Sequence, residues 1–297
     1  MEQETRKGVY LALFAFVFWG VAPVYFKLLD AVPATEILLH RIIWSFVLLF
    51  LLLIFTKQLY KAKAIFKNPK QMLYLGSTAM IIGGNWWLFI WAVNQGHILE
   101  ASLGYYINPL LNVLLGTLFL NERLRKGQMF AVGLAMCGVL VQLVALGSLP
   151  IISLVLASSF AVYGLLRKQL AVDSIVGLWF ESMLLLPIAL GAWYFGDWSH
   201  YSDWTQAPNL YIFGLIMAGA ITTIPLVSYT AAAKRLTYTT IGFLQYIGPS
   251  LMFLLGVFAY GETISMEKLT SFIFIWTALF VFTLDSIRTP RITPKTT

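Results

Sequence analysis

Ten apolar runs, separated by short charged or proline-bearing segments, occupy nearly the whole chain. They cover 8–28, 36–56, 72–95, 98–120, 127–146, 150–167, 174–195, 210–233, 238–260 and 267–287. A helix needs about 20 apolar residues to cross a hydrocarbon core of ~30 Å. The pattern therefore predicts an all-α membrane protein with ten transmembrane helices. Pro69, Pro150 and Pro208 stand at helix starts or in links, where a missing N–H does no harm. The sixth run is short, and only Gly147-Ser148-Leu149 joins it to the fifth.

A repeat lies inside the pattern. Tyr106-Ile107-Asn108-Pro109, Leu114-Leu115-Gly116 and Glu122 return as Tyr246-Ile247-Gly248-Pro249, Leu254-Leu255-Gly256 and Glu262, each 140 residues later. A weaker echo joins Trp19-Gly20 to Tyr163-Gly164. The runs divide into a first repeat, 8–146, and a second, 150–287, of five helices each. An odd number of crossings per half turns the second half over, giving two inverted five-helix repeats. Such halves, able to rock about a shared centre, mark secondary transporters.

Charge sets the orientation. With the N-terminus inside, every basic residue except Lys27, Arg41 and Lys268 falls in the cytoplasmic links or tails, including Arg167, Lys168, Lys234, Arg235, Arg291 and Lys295. By the positive-inside rule both termini are cytoplasmic. The link 196–209 reads as an external aromatic-acidic loop with Asp197, Trp198, Asp203 and Trp204.

Composition agrees: 59% of residues are hydrophobic and only 11% charged, against about a quarter charged in soluble domains. The net charge of +7 belongs to the membrane surface, so no nucleic-acid partner is expected. Cys137 is the sole cysteine. The three histidines lack zinc-binding spacing, and no cleavable signal peptide is apparent. No metal or other cofactor is expected.

The motifs Phe18-Trp19-Gly20-Val21-Ala22-Pro23, Glu36-Ile37-Leu38-Leu39-His40-Arg41, Gly83-Gly84-Asn85-Trp86, Leu99-Glu100-Ala101-Ser102-Leu103-Gly104-Tyr105 and Gln245-Tyr246-Ile247-Gly248-Pro249 carry a family likeness. They resemble the EamA branch of the drug/metabolite transporter superfamily, and within it the RarD (chloramphenicol-sensitivity) family, over roughly 6–288. The resemblance implies a ten-helix bacterial inner-membrane permease with two EamA repeats. It does not name a cargo.

Polar residues inside the apolar runs are the candidate site. Arg41 lies about 8 Å into the second run and Glu181 about 10 Å into the seventh, again 140 apart in sequence. About 12 Å would separate them along a ~30 Å core, too far for a direct ion pair. Arg41 can bind an anionic group through its planar fork or snorkel outward. Glu181 can carry a proton or belong to a structural pair. His40 and Glu36 are i,i+4 neighbours, suited to a surface ion pair or to proton sensing.

Pro109 and Pro249 each leave a helical carbonyl without its donor. Tyr105, Tyr106, Asn108 and Asn112 surround the first break, and Gln245 and Tyr246 the second. Asn85, Trp86 and Phe89 share a helix face suited to an amphipathic solute. Thr222, Thr223, Ser228 and Tyr229 read as repair of a kink at Pro225. Glu122 and Glu262 read as helix-end anchors. The fifth and tenth runs, almost wholly apolar, should stand at the periphery against lipid or a second copy of the chain.

These features describe a permease moving a small organic metabolite or drug-like solute by alternating access. The proposed lining is Arg41, Asn85, Trp86, Tyr105, Tyr106, Asn108, Glu181, Gln245 and Tyr246, with Glu181 and His40 as proton-coupling candidates. No phosphate-binding loop is present to use ATP. An enzyme has no supporting constellation; a non-transporting sensor or scaffold, and a channel, are the alternatives.

Overall fold

The computed structural model describes residues 2–147, 149–196, 209–261 and 265–288. Asp197, Trp198, Asp203, Trp204, Glu262, Arg291 and Lys295 lie outside the described residues. Helices α1 (Glu2–Lys27), α2 (Ala34–Phe55), α3 (Leu59–Ile65), α4 (Pro69–Asn94), α5 (Ile98–Phe119) and α6 (Lys126–Leu146) are followed by α7 (Ile151–Gln169), α8 (Ser174–Phe195) and α9 (Asn209–Ala233). Helices α10 (Tyr238–Gln245) and α11 (Ile247–Leu254), a π-helical turn Leu255–Ala259, and α12 (Met266–Arg288) complete the chain.

Local chemistry sets many boundaries. The Asn68 side chain accepts from Gln71 N, with Pro69 opening α4; Asp173 and Thr237 accept from the first turns of α8 and α10. These contacts satisfy helix-end donors that have no intrahelical partner. Gly147 ends α6 at φ 69°, a conformation glycine adopts without Cβ strain.

Among the described residues, nine segments are long and apolar enough to cross a membrane: α1, α2, α4, α6, α7, α8, α9, the run Tyr238–Ala259, and α12. The 22-residue helix α5 is equally long. Tyr105, Tyr106, Asn108 and Asn112 lower its hydropathy. Large apolar side chains point outward, among them Phe50, Trp87, Phe130, Phe213 and Phe280, as lipid contact requires.

The two proline breaks differ. Helix α5 runs through Pro109 unbroken, whereas the later helix interrupts at Tyr246, three residues before Pro249. Helix α3 is a feature the apolar runs did not predict. Leu59, Ala62 and Ile65 form its apolar face; Ala62 and Ile65 are buried, and the following Phe66 meets Phe180 with ring centroids 5.4 Å apart.

Helix packing follows a regular scheme. Helix α2 lies against α8 and α9, and α4 against α7 and α8. Helix α9 also lies on α1, α5 on α7 and α10, and α11 on α1. Helices α6 and α12 form a separate pair: Ser271 Oγ donates to Gly138 O at 2.7 Å, and Arg125 meets Asp285 at 2.6 Å. Phe243 and Phe282 stack 3.9 Å apart, fastening that pair to α10. At the α2/α9 crossing Gly219 approaches the Trp44 backbone too closely for any Cβ, and Ser45 donates to Gly219 O.

Links meet at the bundle ends. Arg235 binds Glu4 at 2.8 Å. The Glu122 carboxylate accepts from Tyr238 N, Thr239 N and Thr239 Oγ1 at 2.6–2.9 Å, capping the start of α10. Lys168 Nζ donates to Ala233 O and Leu236 O, and Lys234 Nζ to Val172 O. Elsewhere Lys27 stands 3.8 Å from the centre of the Tyr260 ring.

Candidate functional site

A small cavity lies where α2, α4, α8 and α9 converge. Ser45, Leu49, Ile82, Trp86, Leu178, Glu181, Ser182, Leu185, Thr222, Thr223 and Leu226 line it. The space open to the centre of a water-sized sphere is about 10 Å³, enough for roughly one water. An organic solute therefore requires the helices to part. The walls combine aliphatic side chains with four hydroxyls and one carboxylate, a composition suited to an amphipathic ligand.

Arg41 stands beside this cavity and is partly buried. Its Nε donates to Thr222 Oγ1 at 2.8 Å, and its guanidinium carbon lies 5.0 Å from the centre of the Trp86 ring. Tyr25 and Tyr105 are its electrostatic neighbours. Thr222 is held in turn by donating to Ala218 O. The back-bond expected of a Thr222 cluster repairing a kink is present, but the same hydroxyl also holds Arg41. Tyr105 packs edge-on against Phe89, 6.1 Å between centroids.

Glu181 is buried at another wall. Thr78 donates to its Oε1 at 2.6 Å, Tyr163 to its Oε2 at 3.2 Å, and Arg167 Nη1 lies 3.6 Å from Oε1. Arg167 is fully buried. Counted from sequence among the cytoplasmic-end cations, it instead turns into the bundle and donates to Ser174 O. Gly177 makes the space: a Cβ there would collide with the guanidinium. The missed signal is positional: Arg167 lies three residues before the short link 170–173 and Gly177 four after it, and Glu181 is one helical turn beyond.

The other polar candidates form two further clusters. Asn108 donates to Ala157 O at 2.6 Å; Asn112 donates to Gln245 Oε1 at 2.8 Å and to Asn108 Oδ1 at 3.4 Å. Tyr246 Oη donates to Tyr106 O. Asn85 turns to α7, donating to Leu156 O and Ser159 Oγ at 2.9 and 2.8 Å. Structure thus groups Arg41 with Tyr105 and with Trp86, which lines the cavity, and places Glu181 in the cavity wall. Asn85, Asn108, Gln245, Tyr106 and Tyr246 bind helices to one another. His40 Nδ1 accepts from Trp44 Nε1 at 3.1 Å, and its ring packs on Trp193 with centroids 4.8 Å apart.

Comparison with known proteins bears on the same architecture. Residues 6–144 match the EamA-like transporter family. The RarD protein of Salmonella typhimurium is 53% identical over 293 residues, spanning 97% of this chain and 98% of the relative. The chain belongs to the RarD family of EamA-like transporters. A relative from Vibrio cholerae, described as an uncharacterized transporter, is 50% identical over 289 residues, covering 97% of this chain and 95% of its own. A solved crystal structure matches at a TM-score of 0.73 with 20% identity, over 95% of this chain and 99% of that one; this likeness concerns the fold. Family membership and the apolar helices make the chain a multi-pass membrane transport protein.

Proposed function

We propose that the chain is a bacterial inner-membrane secondary carrier that moves a small organic solute by alternating access. The observation that carries this reading is the cavity between α2 and α4 of the first half and α8 and α9 of the second. Sites at the interface of inverted repeats are the rule in such carriers.

Adding α5 to the nine apolar segments makes ten crossings in this reading, divided as 8–146 and 150–287. Packing supports the inverted relation. Exchanging α1 with α7, α2 with α8, α4 with α9, α5 with α10–α11 and α6 with α12 turns each principal contact into another principal contact or, for α2/α8, α5/α10 and α6/α12, into itself. Paired links at the bundle ends, Glu4 with Arg235 and Lys27 with Tyr260, suit an even number of crossings. The basic links then face the cytoplasm, as do both termini.

Glu181 acts here as a structural counter-charge. Its close Arg167 partner and two hydroxyl donors favour a fixed carboxylate over a mobile proton carrier. Arg41 and Trp86 flank the solute, while Asn108, Asn112 and Gln245 hold the helices that rock. Helices α6 and α12 stay outside the moving core, facing lipid. Reconstitution into liposomes tests this: saturable, competable flux of a recognised solute is expected. Flux that never saturates would identify a channel.

A further inference from the structure

We infer that the site takes an organic monoanion with an apolar body, its anionic end held by Arg41 and its body laid along Trp86 into the cavity. This deepens the carrier reading and rests on it.

Two charges stand at the cavity, and their surroundings differ. The Glu181 carboxylate already faces the Arg167 guanidinium and accepts from Thr78 and Tyr163. A cationic solute would have to displace Arg167, which is fully buried. Among the described residues Arg41 has no such partner. Its Nε donates to Thr222. Its other neighbours, Trp86, Tyr25 and Tyr105, carry no opposing charge at neutral pH. Among the described residues no acidic side chain lies within ion-pair distance of it.

A guanidinium presents five N–H donors in a rigid fork, and a carboxylate accepts two of them side by side. A cation inside a membrane span without a counter-ion is unfavourable. A solute anion would complete the site. Contiguity selects the rest of the ligand. Thr222 and Trp86 touch Arg41 and also line the cavity, whose remaining walls include Ile82, Leu178, Leu185 and Leu226. An apolar body extending from the bound anion meets hydrocarbon. A second negative charge at its far end would meet Glu181, so a monoanion fits and a dianion does not.

The test uses the purified full chain in detergent, with benzoate, 3-phenylpropionate and octanoate, their amides, and 3-phenylpropylamine as probes. Thermal stability and tryptophan fluorescence are read together. At least one carboxylate is expected to raise the melting temperature by several degrees, with its amide and the amine inert. Arg41→Gln should weaken carboxylate binding about tenfold or more, equivalent to about 1.4 kcal/mol. Arg41→Lys, which keeps the charge but loses the fork, should retain part of it. The melting temperatures of the unliganded variants report their folding separately. Equal responses to acid and amide, no response to any carboxylate, or full binding by Arg41→Gln would overturn the proposal. If the cavity still proves reachable from both membrane faces, the carrier reading survives such a failure.

Discussion

Tyr246 Oη donates to the backbone carbonyl of Tyr106 across 3.2 Å. The two tyrosines are 140 residues apart and hold the same place in the repeated motif. Tyr106 follows Tyr105, whose carbonyl loses its helical donor to Pro109. Tyr246 is where the matching helix interrupts. The two occurrences of the sequence motif thus touch each other here.

Beside that contact, Asn112 and Gln245 form a buried amide pair. Asn112→Leu strands the Gln245 acceptor, and loss of a buried partner costs about 1–3 kcal/mol. Asn112→Leu combined with Gln245→Leu should be less destabilising than the two single changes added together. Thermal denaturation of all four proteins in one detergent checks this; strict additivity would mean that the pair does not interact.

Glu181→Gln should lower stability strongly, because it leaves Arg167 charged and buried. Breaking one member of a buried ion pair costs about 3–5 kcal/mol. Arg167→Met combined with Glu181→Met should recover much of the loss. If transport persists in that double variant with its pH dependence unchanged, Glu181 carries no coupling proton. Restored stability with a lost pH response would return a proton role to Glu181.

Gly177→Ala should behave like a lesion in the same ion pair, since its methyl group would occupy the space of the Arg167 guanidinium. Gly191→Ala, on the same helix with nothing within 4 Å of the added carbon, should be neutral or slightly stabilising, as alanine favours helix. The yields of folded protein from the two variants give the comparison.

Lys234 supplies a pH prediction. It lies in the link after α9, where burial, reinforced by the Arg167 charge, lowers its pKa from 10.5 to about 8. Between these values the unfolded chain holds a proton that the folded chain has released, so stability rises with pH through that window. Below about pH 8 the burial penalty is present in full. Melting temperatures measured from pH 7 to 10 should contain this rise in the parent and lack it in Lys234→Gln.

The helices were readable because lipid imposes one rule along the whole chain: about 20 apolar residues, then a polar break. Even α5, which Tyr105, Tyr106, Asn108 and Asn112 make less apolar, follows it in length. Arg41 and Glu181 were readable as charges where charges are costly. Their partners were not. Arg167 sits next to Lys168 at a helix end, where cations usually anchor, and only the opposing Gly177 distinguishes it. Asn85 and Asn108 were visible as polar, but their acceptors are main-chain carbonyls of α7, which no residue type announces. Helix α3 was hidden by its lysines, although Leu59, Ala62 and Ile65 recur at helical spacing.

The central claim is that the cavity between the two halves opens to each side of the membrane in turn. Thr223 lines it and is 2% exposed. A Thr223→Cys variant, with Cys137 replaced by serine, should react with a membrane-impermeant maleimide in both right-side-out and inside-out vesicles. Reaction from only one face would contradict the account.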